Sequence, residues 1–175
     1  MNAARELTLV ELVDPEGHPV GAATVQAAHT APGQLHRAFS VLLFDPAGRT
    51  LLQRRADVKT RFPGRWANSC CGHPAPGRSA VEAATARLAE ELGVADVSLV
   101  EVGVHTYRAG DPATGRVEHE YDHVLIGRVP PDLPMTPDPD EVSEVRWAAP
   151  DTLLTEVSGA EYAPWLAGVL PIALR

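Results

Sequence analysis

Residues 72–94 read GHPAPGRSAVEAATARLAEELGV, a loop rich in glycine and proline followed by the clearest helical pattern in the chain. Ser79 is suited to the N-cap position, and Glu82 completes a capping box three residues later. Apolar side chains then recur at helical spacing as far as Leu92, and Gly93 stands where a glycine commonly ends a helix. The stretch therefore predicts one well-bounded helix that follows a long loop.

On both sides of this helix the pattern changes to short apolar runs separated by turn residues. Residues 39–44 and 50–53 flank Asp-Pro-Ala-Gly and predict a hairpin. Residues 97–107 and 116–129 flank a second turn and predict another pair of strands. Single strands are predicted at 6–13 and 145–147, and weaker helices at 151–157 and 160–170.

The segment 54–78 differs from the rest because it is long and repeatedly interrupted by glycine and proline. A long irregular segment inside a compact domain is usually functional. The elements around it predict a mixed α/β (α+β) fold. We expect a single catalytic domain over 1–175, with a strand extension at about 1–35, a core at about 36–150 and a helical segment at about 151–175.

Charge and hydropathy exclude several classes of protein. The 175 residues include 15 basic and 23 acidic side chains, so the formal net charge is −8, which disfavours binding to nucleic acid. No apolar run approaches the roughly 18 residues of a membrane span. Residues 1–13 carry Arg5, Glu6 and Glu11 and lack the apolar core of a signal peptide.

The two cysteines, Cys70 and Cys71, are neighbours and would close only a strained disulfide. Free thiols without an export signal predict a cytoplasmic protein. A thiol becomes reactive when positive neighbours lower its pKa, and a basic group of residues precedes this pair. In the simpler interpretation, both cysteines are small buried side chains.

Histidines and carboxylates suggest a metal site. Glu118 and Glu120 point to the same face of a predicted strand, and Asp122 continues that face. With three histidines they would make a five-ligand site, and mixed imidazole and carboxylate ligands suit Zn, Mn or Fe. The spacing matches no compact zinc motif, and a solvated strand face is the simpler interpretation of the carboxylates alone.

The stretch quoted first also resembles the Nudix pattern G-x5-E-x7-R-E-U-x-E-E-x-G-U, in which U is apolar. Gly72 matches its first glycine, and residues 90–94 match its ending. Arg78 replaces the first glutamate, and Ala86-Arg87 replaces Arg-Glu. Nudix hydrolysis depends on carboxylates that bind metal and activate water, so these changes disfavour pyrophosphate hydrolysis.

The surrounding motifs resemble one Nudix-fold family, the type I isopentenyl-diphosphate isomerases. The matches span about 140 residues in order: Ala27-Ala28-His29-Thr30, Leu35-His36-Arg37-Ala38-Phe39-Ser40, the run from Pro63 to Pro74 with Asn-Ser-Cys-Cys-Gly-His-Pro, Tyr107-Arg108-Ala109, Glu118-His119-Glu120 and Pro164-Trp165. The resemblance implies a Nudix fold of mixed sheets flanked by helices. It also implies a metal-dependent 1,3-proton shift between isopentenyl diphosphate and dimethylallyl diphosphate.

By this resemblance, Cys71 and Glu120 are the two catalytic residues. We assign protonation of the alkene to Glu120, with help from Tyr107, and removal of the C2 proton to Cys71 as a thiolate, while the reverse assignment stays open. The implied ligands of one divalent metal ion (Mn, Zn or Mg) are His29, His36, His73, Glu118 and Glu120. Mg²⁺ that arrives with the diphosphate is expected at Glu91 and Cys71. Diphosphate contacts are expected at Arg55, Lys59 and Arg87, while Trp165 offers its π face to the carbocation.

The resemblance has gaps, and other functions stay open. Relatives often carry a basic residue a few positions before the first histidine, whereas residues 24–26 here are Thr-Val-Gln, so one phosphate contact is expected to be missing. The alternatives are a Nudix-type diphosphate hydrolase and a non-catalytic metal-binding module. The expected partner is a small allylic or homoallylic diphosphate, with no nucleic acid and no membrane, and the expected state is a monomer.

Overall fold

A mixed nine-stranded sheet with helices on both faces forms the centre of the computed structural model, which describes residues 3–175. The helices within that range are α1 (Ala3–Glu6), α2 (Val25–Ala28), α3 (Ala80–Leu92), α4 (Pro150–Glu156) and α5 (Leu166–Ala173). The strands are β1 (Leu9–Val13), β2 (Pro19–Thr24), β3 (His36–Phe44), β4 (Thr50–Arg55), β5 (Trp66–Ala67), β6 (Cys70–Gly72), β7 (Leu99–Gly110), β8 (Val117–Arg128) and β9 (Val142–Ala148).

Strand β3 organises the sheet because it pairs with four other strands. It runs parallel to β8 from the pair His36–Glu120 to the pair Phe44–Arg128. It is antiparallel to β1, β6 and β4, each of which pairs with a different part of it. All but one of its nine residues are buried. Residues placed along β3 therefore lie beside elements that are distant in sequence.

Helix α3 packs on one face of the sheet, as the capping box and spacing predict. The Ser79 hydroxyl accepts a hydrogen bond from the Glu82 amide, the Glu82 carboxylate accepts one from the Ser79 amide, and Gly93 ends the helix in the left-handed conformation at φ 66°. Leu88 and Leu92 pack with residues of β3 in one core cluster. The helix predicted to follow the long loop is thus confirmed.

Helix α5 covers the opposite face of the sheet. Leu166 and Leu170 pack with Leu42 of β3 and Val124 of β8. The neighbours of Leu42 on β3, Val41 and Leu43, belong to the core under α3 instead, because side chains alternate along a strand. The mixed α/β class predicted from the sequence is confirmed.

The two predicted hairpins are confirmed, but the structure differs from three other predictions. The strand predicted at 6–13 begins at Leu9, since α1 precedes it. The irregular segment 54–78 contains β5 and β6, which pair with β4 and β3. The helix predicted at 160–170 begins at Leu166, because the backbone on both sides of Tyr162 is hydrogen-bonded to Trp66 instead. Strand β2 and helix α2 escaped prediction.

Across residues 3–175, no helix has the length and apolar character needed to cross a membrane.

Candidate active site

Three adjacent strands bring distant polar residues into one row. The register pairs His36 of β3 with Glu120 of β8, and pairs Glu120 with Tyr107 of β7. The Tyr107 hydroxyl donates to Oε2 of Glu120 at 2.8 Å. Glu118 lies two residues earlier on β8 and faces the same side, as the alternation predicts. Sheet register therefore fixes this half of the site.

Two loops complete a compact cluster of imidazoles and carboxylates. His29 follows α2, and His73 follows β6. Potential ligand atoms of five side chains all lie within 4.8 Å of one another: His29, His36, His73, Glu118 and Glu120. Nε2 of His29 is 3.0 Å from Oε2 of Glu118, and Nε2 of His73 is 2.9 Å from Oε1 of Glu120. Residues predicted as ligands from four separate motifs thus meet at one point.

The backbone orients two of the imidazoles toward this point. Nδ1 of His29 is 2.7 Å from the Val25 carbonyl, and Nδ1 of His36 is 2.7 Å from the Gln34 carbonyl. A carbonyl can only accept, so each Nδ1 carries a proton and Nε2 is the nitrogen that faces the cluster. Nε2 of His36 is buried without a hydrogen-bond partner among the described residues. Three imidazoles and two carboxylates arranged in this way can hold a divalent metal ion.

Electrostatics in the cluster also favour a bound cation. Burial opposes a charged imidazole at His29, yet the adjacent Glu118 carboxylate raises the pKa of that imidazole to about 9. Burial lowers the pKa of His73 to about 3. For Glu120, burial is outweighed by its interactions with the three surrounding histidines, which hold its pKa well below the usual range. The carboxylate charge of the cluster therefore attracts positive charge, either on an imidazole or on a bound cation.

Cys71 lies on the short strand β6, opposite Ser40 of β3. Its thiol donates to Oδ1 of Asn68 at 3.2 Å and lies 3.7 Å from the Ser40 hydroxyl. Burial raises the pKa of the Cys71 thiol to about 12, so the low pKa suggested by nearby basic residues is not found. The basic residues precede Cys71 in sequence, but burial and the Asp122 charge outweigh Arg55, the positive neighbour that lowers this pKa.

Cys70 occupies the other side of the same strand. It is fully buried in the core under α3, with Phe39 and Leu88 in the same cluster. The two thiols therefore face different environments, and both are free.

One cavity of about 280 Å³ joins these groups. Cys71, Glu120 and Tyr107 line it, and Trp165 forms part of its wall. Nε1 of Trp165 donates to Oδ1 of Asn68 at 2.9 Å, the same oxygen that accepts from the thiol. The Tyr107 and Trp165 rings are 6.1 Å apart. A thiol, a carboxylate and an aromatic face thus meet in one largely buried space.

Most of the predicted diphosphate contacts lie in a second, charged group of residues. Nη2 of Arg87 is 2.9 Å from the Glu141 carboxylate, and Lys59 donates to the same carboxylate. Arg87 also pairs with Glu91, which lies behind the cavity wall and accepts a hydrogen bond from Gln53 at 2.9 Å. The helical pairing of Arg87 with Glu91 is confirmed.

Arg55 is placed differently from the other two cations. Its guanidinium donates to the Arg61 and Phe62 carbonyls and lies 5.4 Å from the centroid of the Trp165 ring. It therefore shapes the loop and the aromatic wall as well as lining the cavity.

Sequence reasoning missed three residues of the site. Glu141 holds both Lys59 and Arg87, while Asn68 links Cys71 to Trp165. Ser40 bridges Cys71 and the buried Asp122, whose carboxylate accepts from it at 2.7 Å. Asn68 and Ser40 lie inside the motifs that carry the family resemblance, so the resemblance could have identified them. Glu141 follows a loop rich in proline, and nothing local marks it.

The Glu141 ion pairs predict a specific dependence of stability on pH. Burial opposes its charge, but Lys59 and Arg87 lower the pKa of Glu141 from 4.5 to about 2. A lowered pKa stabilises the fold above pH 4.5, and this contribution is lost as the pH falls from 4.5 towards 2. We expect Glu141→Gln to reduce the free energy of unfolding at pH 7 by about 2 to 3 kcal/mol.

Urea unfolding at several pH values tests this expectation. The difference between wild type and Glu141→Gln should shrink as the pH falls below 4.5. Glu144→Gln, an exposed site on the adjacent strand, serves as the control and should leave stability nearly unchanged. A Glu141→Gln difference that stays constant across this pH range would contradict the expectation.

Comparison with known proteins agrees with this geometry. The NUDIX domain model matches residues 34–168. A crystal structure of the Deinococcus radiodurans protein DR0079 superposes with a TM-score of 0.76 at 22% identity, covering 95% of this chain and 99% of that one. These matches establish the fold, and they define the chain as a member of the NUDIX family.

Curated sequences narrow the assignment. An isopentenyl-diphosphate Delta-isomerase from Nocardia farcinica is 63% identical over 166 residues, which is 94% of this chain and 93% of the relative. A protein of the same name from Streptomyces griseus is 45% identical over 98% of this chain and 86% of its own. Within the NUDIX proteins, the chain belongs to the isopentenyl-diphosphate Delta-isomerase family.

Proposed function

We propose that the protein interconverts isopentenyl diphosphate and dimethylallyl diphosphate by a 1,3-proton shift. The observation that carries the proposal is the shared cavity, in which the Cys71 thiol and the Glu120 carboxylate lie beside a cluster suited to a divalent metal. An unactivated alkene needs a strong local acid, and the resulting tertiary carbocation must be shielded from water. A largely buried cavity with an aromatic wall suits both requirements.

Each side chain has a role in this proposal. Glu120, with the Tyr107 hydroxyl hydrogen-bonded to it, delivers a proton to the terminal alkene carbon. Cys71 removes a proton from C2 on the other face of the substrate. The Trp165 ring stabilises the positive charge that develops between these steps. No bond to the diphosphate breaks, so the diphosphate serves only to anchor the substrate.

One observation favours the opposite assignment, in which the acid and the base exchange roles. The Cys71 thiol donates to Asn68 and so carries a proton in this structure. In the reverse assignment Cys71 protonates the alkene and Glu120 removes the C2 proton. Both assignments give the same product, and isotope labelling separates them, as described in the Discussion.

The five-residue cluster would hold the resident metal ion, for which we propose Mn, Zn or Mg. When bound, the ion would supply positive charge that orients Glu120 and strengthens it as an acid. Mg²⁺ that accompanies the diphosphate is proposed near Glu91, with Cys71 as the second expected ligand. Because Glu91 is already paired with Arg87, that cation would share the carboxylate with a neighbouring guanidinium.

Metal removal is expected to abolish turnover and to lower thermal stability, because an ion that binds only the folded state stabilises it. Protein stripped with a chelator should regain activity when the correct ion is restored, and elemental analysis should find about one tightly bound ion per chain. His36→Gln should lose this ion, whereas His119→Gln, on the opposite face of β8, should retain it. Full metal content in His36→Gln would contradict the ligand set.

The deciding experiment supplies isopentenyl diphosphate and Mg²⁺ to the metal-loaded protein and follows both isomer formation and phosphate release. Formation of dimethylallyl diphosphate without phosphate release is the expected result. Release of phosphate or diphosphate without the isomer would support a hydrolase. That outcome is disfavoured because Arg78 and Arg87 stand where the Nudix pattern has glutamates. Metal binding with neither product would support a non-catalytic module.

The setting of the reaction is also part of the proposal. Two free thiols suit the reducing conditions of the cytoplasm, and we propose a monomeric catalytic domain that binds no nucleic acid.

A further inference from the structure

The N-terminal segment of residues 3–9 forms one wall of the cavity. Arg5, Glu6, Thr8 and Leu9 all line it. The segment is held at Thr8 and Glu6, since the Val25 amide donates to the Thr8 carbonyl at 2.9 Å and Arg61 donates to Glu6 at 3.1 Å. Its side chains are therefore held at the cavity rather than projecting from the sheet.

Arg5 lies directly beside the charged group of residues at the cavity. Its Nη2 donates to Oε2 of Glu90 at 2.9 Å, and its Nε is 3.5 Å from Oε1 of Glu141. Arg87 contacts the same two carboxylates, at 3.2 Å and 2.9 Å. Two guanidinium groups that share two carboxylate partners, Glu90 and Glu141, thus lie at one place on the cavity wall.

We propose that Arg5 is a diphosphate-binding residue of this protein, acting with Arg87 and Lys59. The inference rests on the proposed function, and it adds a contact that lies outside the motifs shared with relatives. Guanidinium forks match phosphate oxygens with two parallel hydrogen bonds, which suits this position. The Arg5 side chain keeps 40% of its surface exposed, so a ligand can reach it.

Charge balance gives Arg5 a further role. Arg5, Lys59 and Arg87 together balance the three carboxylates Glu90, Glu91 and Glu141. Without Arg5 this group carries net negative charge, and it would repel an anionic complex of Mg²⁺ with diphosphate. Arg5 therefore neutralises the net charge of this part of the cavity wall. The wall then offers several hydrogen-bond donors to the diphosphate instead of repelling it.

Binding of inorganic diphosphate with Mg²⁺ to the metal-loaded protein tests the proposal directly. Arg5→Gln should raise the Kd of this probe about tenfold, the effect of losing one charge-assisted contact. The KM for isopentenyl diphosphate should rise in parallel while kcat changes little. Arg5→Lys should recover part of the loss, because it restores the charge without the fork.

Arg49→Gln is the matched control, because Arg49 is 45% exposed and pairs with one carboxylate, Asp45, outside the residues that line the cavity. It should leave the Kd of the probe unchanged. An unchanged Kd in Arg5→Gln would overturn the proposal, and so would an equal loss in Arg49→Gln. A higher KM with an unchanged Kd for inorganic diphosphate would also overturn it, since Arg5 would then only shape the wall.

Failure of the proposed function would look different. Wild-type protein that binds inorganic diphosphate but forms no isomer would overturn the isomerase activity alone. The comparison of Kd values would still decide whether Arg5 contacts the diphosphate.

Discussion

Cys71→Ala is expected to reduce kcat for isomerisation by about 10⁴-fold, the upper range for removal of a group that transfers a proton. In either order of proton transfer, the thiol is the group that serves one face of the substrate. Alanine leaves the cavity intact because it removes only the sulfur. The measurement is the rate of dimethylallyl diphosphate formation under saturating substrate.

Cys70→Ala provides the matched control one residue away. Cys70 is buried in the core under α3 and does not line the cavity. Its replacement should cost about 1 kcal/mol of stability and leave turnover near the wild-type rate. Near-normal turnover in Cys71→Ala, or a large loss in Cys70→Ala, would show that the thiol has been assigned to the wrong cysteine.

Glu120→Gln is expected to lower kcat by 10⁴-fold or more, again roughly the limit for proton-transfer groups. This carboxylate contacts His73 at 2.9 Å and the Tyr107 hydroxyl at 2.8 Å, so it belongs to both the metal cluster and the reacting pair. The amide has one oxygen instead of two and no negative charge. Metal content should therefore fall along with the rate, and both should be measured on the same sample.

Glu101→Gln is the control, since Glu101 also pairs with a histidine, His123, but lies on the surface of β7. It should retain both metal and activity. A Glu120→Gln protein that binds metal normally and still isomerises its substrate would remove Glu120 from both proposed roles.

Deuterium exchange in D₂O separates the two orders of proton transfer. If Glu120 and Tyr107 protonate the alkene, Cys71→Ala should still add a deuteron at C4 to give the cation. That cation then reverts by losing a proton from C4, so deuterium accumulates in unreacted isopentenyl diphosphate. If Cys71 is the acid, Cys71→Ala should show no such exchange. Mass spectrometry of the recovered substrate distinguishes these outcomes.

Sequence patterns predicted correctly those elements that are stabilised by interactions between residues close in the chain. The capping box at Ser79, the glycine at position 93 and the two hairpins depend on residues close in sequence, and all are confirmed. The period of two along β8 predicted that Glu118 and Glu120 share a face. The meeting of three histidines with those carboxylates could be expected only from the resemblance, because it depends on the parallel pairing of β3 with β8.

Other features were beyond local prediction because long-range contacts decide them. The pKa of Cys71 depends on burial and on Asp122, and neither is visible from the basic residues before it. Glu141 becomes part of the site only because β9 pairs with β4 and so brings that loop beside Arg87. The sequence predicted a strand over residues 6–13 and gave no sign that Arg5 lies at the cavity. In the structure, the ion pair of Arg5 with Glu141 holds it on the cavity wall.

The parallel pairing of β3 with β8 also determines when the metal site can form during synthesis. His29 and Glu118, which lie 3.0 Å apart, are 89 residues apart in the chain. Contacts of such long sequence separation form late in folding, because the entropy of closing the intervening loop must be overcome first. A nascent chain that has not yet reached β8 contains all three histidines of the cluster but neither carboxylate. We therefore expect metal binding to follow sheet assembly, so that a tightly bound ion would mark chains that have completed their fold.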